Sequence, residues 1–340
     1  MIQLSSNKEL TDIVDGINVE WEINATLKDA KFSTFLPYAD PPQEGIIFFP
    51  KRFAFNLLLY QIIQKGWNNH DTLFYGNQLL NLNEMIVGAL AINDSESADK
   101  LKQRYFKQLD FFSQQVAILG NLDYNIRNTL LFLLYHELTH VRIAQQPSFF
   151  ESKRDELSLM ISKAQLFVRL SMKRNLKKVN GLEEEVICDL EACKKLHEDI
   201  KSQIEIKKTL SDIVNTLNIL NNISNIRDAY VREKESMFKI YRAITHSAET
   251  NMSIARFIFI QNFWKDDLIL SGKEIMSGIL SSSFSLSLTQ EAKDFCKAEF
   301  KKSDGGFFNP DRRRAKEIEE EIYEAEQSFI KSLMTPSDSL

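Results

Sequence analysis

Cysteine is scarce in this chain, which argues against a fold held together by disulfide bonds. The 340 residues include three cysteines, Cys188, Cys193 and Cys296, an odd number that cannot all pair. No run of about 18 apolar residues occurs, so no transmembrane helix is expected, and nothing at Met1 resembles a signal peptide. The net charge of −5 gives no indication of a nucleic-acid or membrane partner. These absences predict a soluble cytoplasmic protein.

Histidine is equally scarce, and two of the five histidines stand four residues apart in the sequence His-Glu-Leu-Thr-His at 136–140. Composition alone gives this pattern in roughly one such chain in a hundred. Residues four apart share one face of a helix, so His136 and His140 can bind one metal ion. Paired imidazoles suit Zn²⁺. Glu137, beside the metal, can accept a proton from a water molecule.

The surroundings of this motif predict that it lies in a buried helix. Residues 128–134 are apolar nearly all round a helix, as in an element enclosed by the core. The three polar side chains of the motif then need partners, because unpaired buried polar groups are destabilising. Asn121, Asp123 and Asn125 offer N-caps upstream, and Pro147 ends the pattern downstream. We therefore expect a helix of about six turns.

A third metal ligand is expected on another helix, and the best candidate is the acidic stretch 181–193. Glu185 and Asp189 are four residues apart there, so they share a helix face. This spacing resembles the Glu-x-x-x-Asp helix of gluzincin peptidases, in which the glutamate is the third zinc ligand and the aspartate accepts a hydrogen bond from the first histidine. The resemblance implies that Glu185 binds the metal, that Asp189 orients an imidazole, and that water takes the fourth position.

Alternatives remain open for this stretch. The next candidates for the third ligand are Glu184 and then Glu191 or His197. The stretch can also be explained as a solvated acidic helix face. Against that explanation, several residues around the pair are apolar: Val186, Ile187, Leu190 and Ala192.

A wider resemblance includes His246, which follows a threonine, and Arg256 ten residues later. The order of motifs over residues 120–260 resembles two groups of gluzincins, the CAAX-type prenyl proteases and the Lit-type phage-exclusion peptidases of the bacterial cytosol. The second group fits better because this chain lacks transmembrane helices. The resemblance implies that His246 donates to the oxyanion of hydrolysis, with a core or capping role as the alternative. Cys188 and Ser247 stand where those groups usually have alanine and proline.

Residue patterns divide the chain into a small N-terminal sheet and a long helical part. Strands are predicted at 17–23, 31–35 and 45–49. Helices are predicted at 53–65, 98–119, 152–178 and 312–333. The predicted fold class is mainly α with a small N-terminal β-sheet (α+β), with a zincin-like core built on the buried helix. We expect a zincin-like domain at 1–265, with a helical insertion near 152–178, and a helical C-terminal extension at 266–340.

Two functions are compatible with these residues. The first is a zinc-dependent endopeptidase that hydrolyses an intracellular protein, with a role in bacterial anti-phage defence as its relatives suggest. The second is a binding or scaffold protein that keeps a zincin fold and uses the metal structurally. An intact Glu137 favours the endopeptidase, because a structural site needs no base. The expected partners are a protein or peptide substrate and a regulatory partner or trigger, and neither nucleic acid nor a membrane.

Overall fold

The computed structural model describes residues 7–30, 37–50, 52–65, 70–91, 94–118, 127–200 and 312–334, and five single residues, 205, 209, 256, 259 and 260. These residues form a mostly helical fold with one small sheet, as the sequence predicts. Among them, every helix is too short or too polar to cross a lipid bilayer. The strand predicted at 31–35 and the site residue His246 lie outside the described residues.

The sheet has three short strands, β1 (Thr26–Asp29), β2 (Tyr38–Ala39) and β3 (Ile46–Phe49). Their order is β1-β3-β2, with β1 parallel and β2 antiparallel to β3, so β2 is an edge strand. The strand predicted at 45–49 is therefore confirmed. Gly45 allows the entry into β3, because its φ is +69° and a Cβ there would lie 1.7 Å from the carbonyl oxygen of Asn24.

The strand predicted at 17–23 is wrong, because these residues belong mainly to the first helix, α1 (Asn7–Trp21). The buried residues of that helix are Leu10, Val14, Ile17 and Trp21, which are spaced by four, three and four. Val19, which a strand would have turned inward with Ile17, is 82% exposed. A seven-residue window of alternation was too short to reveal the helical period of the longer segment.

Three helices after the sheet contribute many buried apolar side chains to the main core: α2 (Phe53–Lys65), α3 (His70–Ala91) and α4 (Ser95–Ile118). The predictions at 53–65 and 98–119 are confirmed. The motif helix α5 (Arg127–Gln145) is buried almost all round from Asn128 to Thr139, and it is about five turns long. Helix α5 packs along α8 (Leu182–Asp199), which contains the acidic stretch. The two helices that carry the candidate ligands are thus neighbours.

The C-terminal end of α5 also fixes the position of the small sheet. The Gln145 side chain donates to the carbonyl of Asn24 at 3.0 Å and accepts from the N–H of the same residue at 2.9 Å. The Gln146 side chain donates to the carbonyl of Trp21 at 2.7 Å. These bonds hold the segment that leads into β1 against the helix. The edge strand β2 and the 3₁₀ turn Pro42–Glu44 consequently lie beside the motif.

The segment predicted as one helix at 152–178 is helical but forms two helices, α6 (Pro147–Lys163) and α7 (Leu166–Lys178). The prediction of a single continuous helix is therefore wrong. Ala164 and Gln165 separate them in extended backbone, with ψ values of 154° and 149°. Neither glycine nor proline marks this break, so the sequence carried no local signal for it. The hairpin packs on α8 through a second apolar cluster. The buried side chains of that cluster include Leu157, Ile161, Met172, Leu182, Val186 and Ile187.

The helix predicted at 312–333 is confirmed as α9 (Arg312–Met334). Its apolar stripe, made by Ile318, Ile322, Phe329 and Ile330, belongs to the same hydrophobic core as α2 to α5. One carboxylate on this inner face, Glu326, is fully buried. The domain boundary at 265 falls outside the described residues, so the division of the chain into two parts stays a prediction.

Candidate metal centre

Helix α5 brings the two histidines of the motif together on the side that faces α8. The Nε2 atoms of His136 and His140 are 3.2 Å apart. Each Nδ1 atom lies 2.9 Å from a carboxylate oxygen, that of Asp189 for His136 and that of Glu184 for His140. An ionised carboxylate can only accept, so each imidazole carries its hydrogen on Nδ1. Both Nε2 lone pairs are therefore directed toward the same small space.

Glu185 supplies the third donor of this space. One of its oxygens lies 3.4 Å from His136 Nε2, and the other lies 3.4 Å from His140 Nε2. Donors of a tetrahedral zinc site, with bonds of about 2.0–2.2 Å, are separated by about 3.3–3.6 Å. The Nε2–Nε2 separation of 3.2 Å is just below that range, and the two nitrogen–oxygen separations of 3.4 Å, which involve different oxygens of Glu185, fall within it. His136, His140 and Glu185 could therefore hold one zinc ion, as the sequence predicts.

The electrostatics of the site also suit a cation. Burial lowers the pKa of both imidazoles, and the charge of Arg256 also lowers that of His136, but the adjoining carboxylates outweigh these effects and raise both pKa values above the ordinary value. For His140 the thiol of Cys188 acts in the same direction. In each case the net effect of the surroundings is to stabilise a positive charge on the imidazole. A divalent ion bound between the two Nε2 atoms would supply positive charge there without protonation of the rings.

Cys188 is a fourth potential ligand that the sequence reasoning noted only as a departure from the gluzincin pattern. Its sulfur, one ring nitrogen of His136 and one ring nitrogen of His140 all lie within 4.8 Å of one another. The thiol is fully buried, however, and burial raises its pKa to about 12. Cys188 does not line the pocket from which a substrate would approach, whereas Glu185 does. His136 and His140 could therefore be joined by Glu185, on the side of the pocket, or by Cys188, on the buried side.

Asp189 forms the hydrogen bond that the sequence predicts, since it accepts from His136 Nδ1 at 2.9 Å. It is completely buried, and Arg256 is its charge partner: Nε and Nη2 of Arg256 donate to the two Asp189 oxygens at 2.8 Å each. Burial raises the pKa of Asp189, but Arg256 and His136 outweigh it, so the pKa falls below its ordinary value. Arg256 also lies 3.0 Å from Glu185 and holds the pKa of that carboxyl well below its usual range against the effect of burial.

Replacing Asp189 by asparagine should lower zinc affinity about ten- to a hundred-fold. Asparagine keeps the size of the side chain but removes the charge that orients the His136 imidazole. Competition with a chromophoric chelator measures the affinity. The matched control is Glu191→Gln on the same helix, where Glu191 pairs with Lys194 at 2.7 Å. Equal affinities for the two variants would mean that Asp189 does not orient the ligand.

Glu137 lies beside the ligands and is held by the edge strand. The backbone N–H of Ala39 donates to Glu137 Oε2 at 2.8 Å. The next N–H, that of Asp40, donates to Ile46 within the sheet. Because N–H directions alternate along a strand, that of Ala39 must point away from β3 and toward α5. Burial raises the pKa of Glu137, which makes its carboxylate a stronger base.

A pocket of about 360 Å³ opens over these side chains. One wall comes from the sheet region and the other from α5, α8 and Arg256. Its lining residues are Pro37, Tyr38, Ala39, Pro42, Leu133, His136, Glu137, His140, Glu185 and Arg256. The gluzincin resemblance implies a small sheet beside the motif helix, but the individual residues of this wall were not predicted, because a two-residue strand in a proline-rich segment has no periodic signal.

The remaining alternatives for the third ligand lie elsewhere. Glu184 binds the outer nitrogen of His140, at 2.9 Å, rather than the space between the imidazoles. Glu191 pairs with Lys194 and, at 3.2 Å, with Lys153. His197 is twelve residues beyond Glu185 on α8, which corresponds to about 18 Å along a helix. Within the described part of the chain, Glu185 alone among the four carboxylate and imidazole candidates approaches both Nε2 atoms.

Comparisons of the chain with protein-family models, with curated proteins and with solved structures find no match in any of the three. Function is therefore inferred from the residues of the site and from their geometry.

Proposed function

We propose that this protein is a zinc-dependent endopeptidase. The observation that carries the proposal is the combination of three convergent donors, His136, His140 and Glu185, with a buried carboxylate, Glu137, at the floor of an open pocket. Structural zinc sites are closed by four protein ligands, whereas catalytic sites have three and keep one position for water or substrate. A carboxylate held beside the open position has a use in hydrolysis and none in a purely structural site.

The residues divide the chemistry among them. A bound zinc ion supplies Lewis acidity and lowers the pKa of water at the site. Glu137 would accept a proton from a water molecule as that water attacks the peptide carbonyl carbon, and would pass the proton to the amine nitrogen as the C–N bond breaks. The Ala39 N–H fixes one oxygen of the carboxylate at 2.8 Å, which holds the base in place for both transfers. Asp189 and Glu184 keep both Nε2 atoms free of hydrogen by occupying the outer nitrogens.

The edge strand supports a peptide as the substrate. Ala39 faces the pocket with its backbone, and the N–H and C=O of one strand residue point to the same side. Glu137 already accepts the Ala39 N–H, so an extended peptide beside β2 would donate a backbone hydrogen bond to the Ala39 carbonyl. The pocket wall here includes the ring of Tyr38. This ring is held in place because it stacks on Phe48, with a distance of 5.0 Å between ring centroids. Pro37 and Pro42 continue the apolar wall beside it. We infer that the substrate presents an apolar side chain to this wall.

The resemblance of the motifs to those of the Lit-type phage-exclusion peptidases suggests the biological setting. It supports a cytoplasmic enzyme, a zincin-like core and an intracellular protein as the target, with a role in bacterial defence against phage. A peptidase in the cytoplasm must be held inactive until it is needed. We therefore include a regulatory partner or trigger in the proposal.

Comparison of protein N-termini in cells tests the endopeptidase directly. Cells expressing the wild type are compared with cells expressing Glu137→Gln at the same level, before and after phage infection. The proposal predicts at least one internal N-terminus that appears only with the wild type. Identical sets of N-termini under both conditions would contradict it.

A second candidate, a binding protein with a structural metal, is favoured by one observation. The buried thiol of Cys188 lies close enough to both histidines to be considered as a ligand. If it joined His136, His140 and Glu185, four protein ligands would close the site and leave no position for water. The identity of the fourth ligand thus separates the two candidates.

A further inference from the structure

The α6–α7 hairpin carries a charge distribution that differs from that of the whole chain. Between residues 157 and 182 the sequence has no acidic residue. The same stretch contains six basic residues, Lys163, Arg169, Lys173, Arg174, Lys177 and Lys178. The net charge of −5, from which no membrane partner is expected, averages this basic stretch with acidic ones such as residues 183–185. The net charge of the whole chain therefore does not reveal this locally positive segment.

Apolar side chains protrude from the same hairpin. Phe167 is 85% exposed, and Leu159, Leu166 and Leu170 are each 55% exposed. Leu166 and Phe167 begin α7, directly after the break between the two helices. The inner side of the hairpin is already packed, because Leu157, Ile161 and Met172 are buried against α8. The protruding residues are therefore not needed to hold the hairpin in place.

The protruding residues and the basic residues lie on one face of α7. At 100° per residue, Leu166, Phe167 and Leu170 fall within one third of the helix circumference, with Met172 on the opposite side. Four exposed basic residues continue that face toward the C-terminal end: Lys173, Arg174, Lys177 and Lys178. We call this the basic-apolar face of α7. Its first turn is apolar and its later turns are positive.

We propose that the basic-apolar face binds an anionic lipid surface. The apolar first turn enters the boundary between headgroups and acyl chains, and the four basic side chains contact the phosphates. An aromatic and two leucines that protrude from the end of a hairpin fit a fluid surface better than a preformed protein groove. A row of positive charges without interleaved acids complements a uniformly negative surface. The α6–α7 hairpin would hold the protein at the surface of a membrane.

Vesicle co-sedimentation with the full-length protein tests this proposal. Vesicles of phosphatidylcholine with phosphatidylglycerol are compared with vesicles of phosphatidylcholine alone. We expect binding to the first and not to the second, with weaker binding as salt is raised. The double variants Phe167→Ser with Leu170→Ser, and Lys173→Glu with Arg174→Glu, should each weaken binding about tenfold or more.

Two controls keep the result specific. Val19→Ser removes an equally exposed apolar side chain, 82% accessible, on α1, and should bind as the wild type does. Glu137→Gln should also bind normally, so failure of the peptidase proposal leaves this one intact. All variants are checked for an unchanged thermal unfolding transition.

Three outcomes would overturn the proposal. They are absence of sedimentation with anionic vesicles, equal binding to both kinds of vesicle, and equal loss of binding in Val19→Ser. Concentration-dependent self-association that Phe167→Ser with Leu170→Ser abolishes, with no lipid binding, would instead assign the basic-apolar face to a second copy of the chain.

Discussion

Replacing Glu137 with glutamine should reduce peptide hydrolysis by about a hundred- to ten-thousand-fold, the usual contribution of a general base. Glutamine has nearly the same size and can still accept the Ala39 N–H through its side-chain oxygen, so the fold and the ligand positions should persist. Zinc content should therefore remain at one ion per chain. Mass spectrometry of a digested-proteome peptide mixture gives the rate, and elemental analysis gives the zinc.

The matched control for this experiment is Glu183→Gln on α8. Glu183 is partly exposed and pairs with Arg154 at 3.1 Å, away from the ligands. The Glu183→Gln substitution makes the same chemical change, and we expect it to have no effect on hydrolysis. If Glu137→Gln retained full activity with zinc bound, Glu137 would not be the base and the proposed division of roles would fail.

The second large effect is expected far from the metal, at Glu326 on α9. This fully buried carboxylate accepts from Arg52 Nε at 2.9 Å and from the Tyr105 hydroxyl at 2.7 Å, and Arg52 also bonds Asn83. Replacing Glu326 with alanine leaves the buried guanidinium of Arg52 without this counter-charge. Breaking one partner of a buried pair typically costs about 3–5 kcal/mol. Denaturant unfolding should show a loss of that size.

A surface carboxylate of the same helix provides the control. Glu320 is mostly exposed and lies 3.7 Å from Lys316, one turn away. Glu320→Ala should change the free energy of unfolding by less than about 0.5 kcal/mol. Similar unfolding midpoints for Glu326→Ala and Glu320→Ala would mean that α9 does not depend on the buried pair for its attachment to α2 and α4.

The candidate ligands on α5 could be predicted because their spacing is a local property of one helix. His136 and His140 share a face wherever the helix is placed. The choice between Glu184 and Glu185 is different, because adjacent residues point about 100° apart on a helix. The packing of α8 against α5 decides which carboxylate approaches the two Nε2 atoms and which bonds the outer nitrogen of His140. The gluzincin-like spacing suggested Glu185, and the geometry agrees with it.

Other parts of the site depend on contacts between distant residues. Ala39 reaches Glu137 across 98 positions, and Arg256 reaches Asp189 across 67. No local periodicity reports such pairings. The same holds for Arg52 and Glu326, which are 274 positions apart. The sequence predicted that α9 is a helix, but only the packing shows that its apolar stripe joins the main hydrophobic core.

X-ray absorption at the zinc edge of the purified protein tests the central claim most directly. The claim is that His136, His140 and Glu185 hold zinc with one position open, so the spectrum should show only nitrogen and oxygen neighbours at about 2.0–2.2 Å. Cys188→Ser should give the same spectrum and the same zinc content. A sulfur neighbour at about 2.3 Å that disappears in Cys188→Ser would contradict the claim and identify a closed structural site.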